Sequence, residues 1–213
     1  PEVSAYLKAE NAYADSAMKP TRGLQEKLYR EMRRRIKETD MSVPERIGDY
    51  YYYTKTGRGQ QYSVYCRKKG GLRAREKVLV DENMLARGHV YFDVGAYRIS
   101  PRHNLLAYSV DTLGNEEYTV YFKDLEAETL YRETITGVDA NLQWANDDRT
   151  VFYLGLDSTQ RPYRLYRHVL GAPKRADDLL GQEDDGRFFV DIGKTRSRKY
   201  LLMILESKTT TEY

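Results

Sequence analysis

The residues able to do chemistry are few and scattered. The three histidines are His89, His103 and His168, and the single cysteine is Cys66. No two of them share the short spacing that metal ligands on one element need. The chain contains no G-x-S-x-G nucleophile elbow, no phosphate loop, no dinucleotide fingerprint, no H-E-x-x-H and no C-x-x-C. Cys66 lacks an evident histidine partner and reads as a small strand residue in a reducing compartment. The doublets Asp177-Asp178 and Asp184-Asp185 lack the alternating oxygen ligands and glycine of a calcium loop. They read as solvated loop or strand-end charges, with attraction of cationic peptides as the alternative. The sequence therefore offers no catalytic residue, no cofactor-binding residue and no metal ligand.

The elements around these residues are mostly strands. The stretch Gly95 to Leu125 sets the pattern. Tyr97 to Ser100, Leu105 to Asp111 and Tyr118 to Leu125 read as three strands rich in Tyr, Val and Phe. Pro101-Arg102-His103-Asn104 and Gly114-Asn115 supply the turns between them. The pattern recurs downstream. Ser100, Ala145 and Gly193 each precede a turn and a strand, at offsets of about 45 and 48 residues. The tyrosine pairs Tyr62/Tyr65, Tyr118/Tyr121 and Tyr163/Tyr166 repeat at offsets of about 56 and 45 residues. Four short strands per unit of this length are the signature of propeller blades. Outer strands fall at Lys77 to Val80, Thr129 to Glu133 and Ala176 to Leu180, and Trp144 falls on an inner strand.

Upstream, Glu2 to Met18 reads as a helix with an apolar stripe from Val3, Tyr6, Leu7, Tyr13 and Ala17, interrupted at Glu10. Pro20 and Gly23 break it, and Leu24 to Lys37 forms a second helix with Thr21 as its N-cap. Arg33-Arg34-Arg35 sits near that helix's end, where cations suit its dipole, and reads as a solvated face or interdomain ion pairs, with a polyanion site as the alternative. The expected fold is thus mainly β: an incomplete β-propeller of about three blades plus a fragment over residues 41–213, preceded by a helical segment over 1–40.

Composition limits the function. The chain has 213 residues, with 35 Lys and Arg against 32 Asp and Glu, for a formal charge of +3. So small an excess argues against a dedicated nucleic-acid binder. Its twenty tyrosines suit half-buried strands, where the ring packs and the hydroxyl reaches a partner. No apolar run is long enough to span a membrane, and no signal peptide opens the chain, so a cytoplasmic location is expected. The first residue is Pro1, and both ends read as cut. A fan of so few blades cannot close a ring, so it is expected to lean on further blades or to self-associate through its open edges.

Several segments resemble the prolyl oligopeptidase family, in its oligopeptidase B branch. They are AENAYADSAM at 9–18, LQEKLYREMRRRIKETDMSVPERIGDYYYYTKTGRGQQYSVYCRKK at 24–69, VLVDENMLARGHVYFDVGAYRISPRHNLLAYSVDTLGNEEYTVYFKDL at 78–125 and SKTTTEY at 207–213. The resemblance implies a seven-bladed propeller capping an α/β-hydrolase peptidase domain of the same polypeptide. That domain's Ser-His-Asp triad would cut short peptides after Arg or Lys, with no cofactor. The helical segment would tie the two parts together, and the propeller would gate access. The triad, the oxyanion donors and the acidic residues that read a basic side chain lie beyond the matched segments, so none is carried onto a position here. The contrasting reading is a non-enzymatic propeller that serves as an interaction scaffold.

Overall fold

The computed structural model describes residues 2–213. Two helices open the chain: α1, Glu2–Met18, and α2, Arg22–Arg35. A single 3-10 turn, Lys19–Thr21, joins them. Gly23 therefore lies inside the first turn of α2 and does not end α1. Thr21 stands at the cap position but caps nothing. Its hydroxyl donates to the Met18 carbonyl and accepts from Gln25, both at 2.7 Å, so it links the end of α1 to the first turn of α2. No residue of either helix is buried.

The first sheet is built from β1 (Asp40–Met41), β2 (Glu45–Ile47), β3 (Tyr50–Thr56), β4 (Val64–Lys69) and β5 (Glu76–Asp81), all antiparallel. β1 and β2 both pair with β3, as two halves of one innermost strand. Pro44, which has no N–H for the ladder, stands between them. A four-residue helix, α3 (Glu82–Leu85), follows. Asp81 caps it by accepting from the Asn83 amide at 3.0 Å.

The second sheet runs β6 (Asp93–Ile99), β7 (Leu105–Asp111), β8 (Tyr118–Asp124) and the first half of β9 (Leu130–Trp144). The third begins with the second half of β9 and continues with β10 (Thr150–Leu156), β11 (Pro162–Val169) and β12 (Asp178–Gln182). The sequence reading separates an outer strand at Thr129 to Glu133 from the next inner strand. The structure makes them one strand that changes partner at Val138, which faces both Tyr118 and Gly155. Gly137, at φ +69, turns the strand between its two blades. The fourth sheet has β13 (Phe189–Lys194), β14 (Leu201–Glu206) and the short β15 (Thr211–Glu212). The sheets form an open series of blades.

β7 explains the stacking. All seven of its residues are buried, so both faces are covered. Leu106, Tyr108 and Val110 join Tyr52, Leu79 and Val80 of the first blade. Leu105 and Ala107 join Leu142, Trp144, Val151 and Tyr153 of the third. β10 repeats this one blade on. Val151 and Tyr153 face back, while Phe152 and Leu154 face Val190 and Ile192. Strict alternation thus feeds two cores from one strand.

On the second blade's innermost strand the ladder is bulged between Val94 and Tyr97. The Ser109 hydroxyl, fully buried, accepts from the Ala96 amide at 2.7 Å and donates to the Ala140 carbonyl at 2.8 Å. A Cβ on Gly95 would lie 2.6 Å from both Ala140 Cβ and Tyr118 Cε1. Gly95→Ala should therefore wedge the blades apart and cost about 1–3 kcal/mol, as overpacking does. Gly186→Ala, with open space around it, should stay within about 0.5 kcal/mol. Urea denaturation of both variants checks this, and equal midpoints would contradict it.

Candidate functional site

The inner hairpins carry the most organised polar structure. They span Ser100 to Leu105, Ala145 to Thr150 and Thr195 to Tyr200, each with the earlier residue's amide bonded to the later residue's carbonyl at 2.8–3.0 Å. In each, one non-glycine residue takes the left-handed conformation: His103 at φ +64, Asp148 at +55 and Arg198 at +59. The turn at 101–104 lacks the Asp-Gly that often serves this geometry, so His103 itself occupies the left-handed position. The structure places this turn residue, not a metal site, at the seam between the first and second blades.

The His103 ring stacks on Tyr50 and Tyr52, with centroids 4.9 and 5.8 Å away. Its Nδ1 lies 2.7 Å from the Tyr52 hydroxyl. Burial holds that hydroxyl protonated, so we assign it as donor and Nδ1 as acceptor. The Arg67 guanidinium sits 4.4 Å above the Tyr50 ring and donates to the His103 carbonyl at 2.5 Å. Burial, then Arg67 and Arg198, push the imidazole below its ordinary value.

Beside this turn a cleft of about 430 Å³ opens across the inner strands. Ile47, Tyr52, Ile99 and Trp144 form its apolar walls, and Arg98, Lys194, Arg196 and Arg198 bring positive charge. Polar bonds cross the blades here. Trp144 Nε1 donates to the Arg98 carbonyl at 2.9 Å, and Lys194 Nζ donates to the Trp144 carbonyl at 2.7 Å. Deeper, Arg98 donates to Asn141 Oδ1 at 3.1 Å, and Asn141 donates to Asp191 at 2.7 Å.

The remaining candidate groups serve the frame. Asp177 is not solvated, contrary to the reading of the doublet. Its carboxylate is buried, accepting from the Tyr153 hydroxyl at 2.8 Å and lying 2.7 Å from His168 Nδ1, while Asp178 stays exposed and pairs with Arg167. His168 is buried and stacks on Phe122. His89 is exposed. Cys66 is buried in a small cluster with Tyr53 and Val64, and burial pushes its thiol up to about 11, so it holds its proton at neutral pH. Asp185 pairs with Arg187, which holds its carboxyl down at about 2. Among the described residues, imidazoles hydrogen-bond only Tyr52 and Asp177, and no serine or cysteine is paired with a histidine. No group of three His, Cys, Asp or Glu residues there is placed to hold a metal. No helix there is long and apolar enough to cross a membrane. The cross-blade bonds join residues more than forty positions apart, so no local motif announces them. Only their recurrence at the end of each inner strand could have.

Fanned antiparallel blades around a concave cleft of inner strands define a β-propeller domain. The chain belongs to the prolyl oligopeptidase family. Residues 1–213 match the family described as prolyl oligopeptidase, N-terminal beta-propeller domain. The chain is 39% identical to dipeptidyl aminopeptidase BI of Pseudoxanthomonas mexicana over 227 residues, which cover 99% of this chain and 31% of that protein. It is 34% identical to protease 2 of Moraxella lacunata, covering 99% of this chain and 32% of that one. Oligopeptidase B from Leishmania major superimposes with a TM-score of 0.91 at 31% identity, over 99% of this chain and 30% of that chain. The chain thus spans about a third of the length of these relatives.

The His103 environment gives a pH prediction. The fold lowers the imidazole below its ordinary 6.5. As pH falls through that value the unfolded chain binds a proton that the fold resists, so stability is lost until the folded value is passed. Wild type should therefore lose more stability than His103→Asn between about pH 7.5 and about pH 5.5, asparagine tolerating the left-handed position. Parallel losses in thermal denaturation would contradict this.

Proposed function

We propose that this chain is the propeller part of a serine oligopeptidase that cleaves short peptides after Arg or Lys. In this reading residues 41–213 gate and scaffold, and the chemistry belongs to an α/β-hydrolase domain elsewhere in the same polypeptide. Residues 1–40 form the segment that packs on that domain, and the enzyme is cytoplasmic. The observation that carries the scaffold reading is the uncovered apolar surface of the helices. Val3, Tyr6, Leu7 and Tyr13 of α1 and Leu24, Leu28, Tyr29 and Met32 of α2 are all exposed. An apolar stripe of that length calls for a partner surface. The basic cleavage preference rests on the resemblance to the oligopeptidase B branch. Family membership and the likeness to protease 2 support the peptidase class.

The test compares this chain with the full-length polypeptide that carries it, on peptidyl amides of Arg, Lys and Pro. The chain alone should hydrolyse none of them. The full-length polypeptide should prefer Arg and Lys over Pro by roughly tenfold or more, a margin within reach of one charged pocket. Turnover by a clean preparation of this chain, or a full-length preference for Pro, would overturn the reading. A full-length polypeptide without turnover would favour an interaction scaffold.

A further inference from the structure

The lining of the cleft at the inner strands carries an excess of positive charge. Four cations line it, Arg98, Lys194, Arg196 and Arg198, against one carboxylate, Glu45. None of the four is in an ion pair among the described residues. Arg98 and Lys194 spend their donors on neutral oxygens. Arg98 bonds the Tyr97 carbonyl at 3.2 Å and Asn141 at 3.1 Å. Lys194 bonds the Trp144 carbonyl and Asn146 Oδ1, both at 2.7 Å. Burial disfavours both charges and Arg198 adds repulsion at Lys194, while Asp191 favours the charge on Arg98 and Asp147 and Asp148 that on Lys194. The Arg196 and Arg198 side chains are exposed, and neither donates a hydrogen bond among the described residues.

Nearby carboxylates make their hydrogen bonds to other groups, although the second oxygen of Asp148 accepts none. Asp191 accepts from Asn141 and from the Ile192 amide. Asp147 accepts from the amides of Arg149 and Thr150, and Asp148 from the amide of Arg102. They act on Arg98 and Lys194 from a distance, and among the described residues none forms an ion pair with a cation of the cleft. Concave walls of low polarity focus such a field, and guanidinium groups match a carboxylate's two oxygens. The apolar walls and the cleft's size suit a chain end better than a small inorganic anion.

We propose that this cleft binds the C-terminal carboxylate of a short peptide, with Arg196 and Arg198 as its direct partners and Arg98 and Lys194 supplying field. A peptide bearing Arg or Lys would then meet the propeller carboxylate-first, because its cationic side chains are repelled there. This deepens the peptide-handling reading and rests on it, but binding is measured here without cleavage, so either can fail alone.

Trp144 is the chain's one tryptophan and lines the cleft, so its fluorescence reports occupancy. The chain is titrated with N-acetyl-tetraalanine as free acid, with its C-terminal amide, and with inorganic phosphate. The free acid should bind saturably and weaken severalfold as salt rises from about 0.05 M to about 0.5 M. The amide and phosphate should each bind at least roughly tenfold more weakly than the free acid. Arg196→Ala with Arg198→Gly, glycine being at ease at φ +59, should weaken the free acid about fivefold or more. Glu45→Gln should tighten it. Equal binding of acid and amide, phosphate as tight as the acid, no saturable binding, or no response to either variant would overturn the proposal.

Discussion

Leu105 and Leu106 are neighbours in the chain and belong to different cores. That division is the constraint on which the rest of the structure depends. A four-stranded antiparallel sheet with apolar residues on both faces cannot cover itself, so each blade is stable only between two others. β7 and β10 are the clearest cases, because successive side chains are claimed by the blade before and the blade after. The apolar term is non-directional. It favours stacking but does not set the angle between blades.

Polar bonds across the seams set that angle. Ser109 joins a bulged strand to the Ala140 carbonyl, Trp144 reaches the Arg98 carbonyl, and Lys194 reaches the Trp144 carbonyl. Lys123 donates to the Leu79 carbonyl at 2.8 Å, and buried Arg161 donates to the Phe188 carbonyl at 2.7 Å. Each donor reaches a backbone carbonyl of a neighbouring blade, which favours one docking register. At Gly95 the approach leaves no room for a Cβ. The same inner-strand ends that carry the seams also form the basic cleft, so the groups that align the blades shape the site.

Strand alternation and the spacing of turns made the blades legible in the sequence. Tyr118/Tyr121 and Tyr163/Tyr166 do mark equivalent strands, and Tyr121 and Tyr166 stack on the equivalent residues Tyr108 and Tyr153. What local pattern could not reveal was long-range. The doublet at Asp177 looked solvated because its partners, Tyr153 and His168, come from two other strands. β9 was read as two strands because nothing in the local pattern shows one strand changing its partner at Val138. Gly23 looked like a helix terminator because propensity carries no information about the 3-10 turn that feeds α2. The family resemblance carried the class, while the cleft's cations lie on inner strands and on the turn after β13, whose neighbours are fixed only by the fold.

If burial between blades is the source of stability, protection must follow the number of covered faces. Hydrogen exchange across the native chain measures this directly. Amides of β7, β8 and β10, each in a sheet covered on both sides, should exchange slowest and together. Those of β14, β15, α1 and α2 should exchange fastest. Equal protection of β14 and β7, or slow exchange along the helices, would contradict the account.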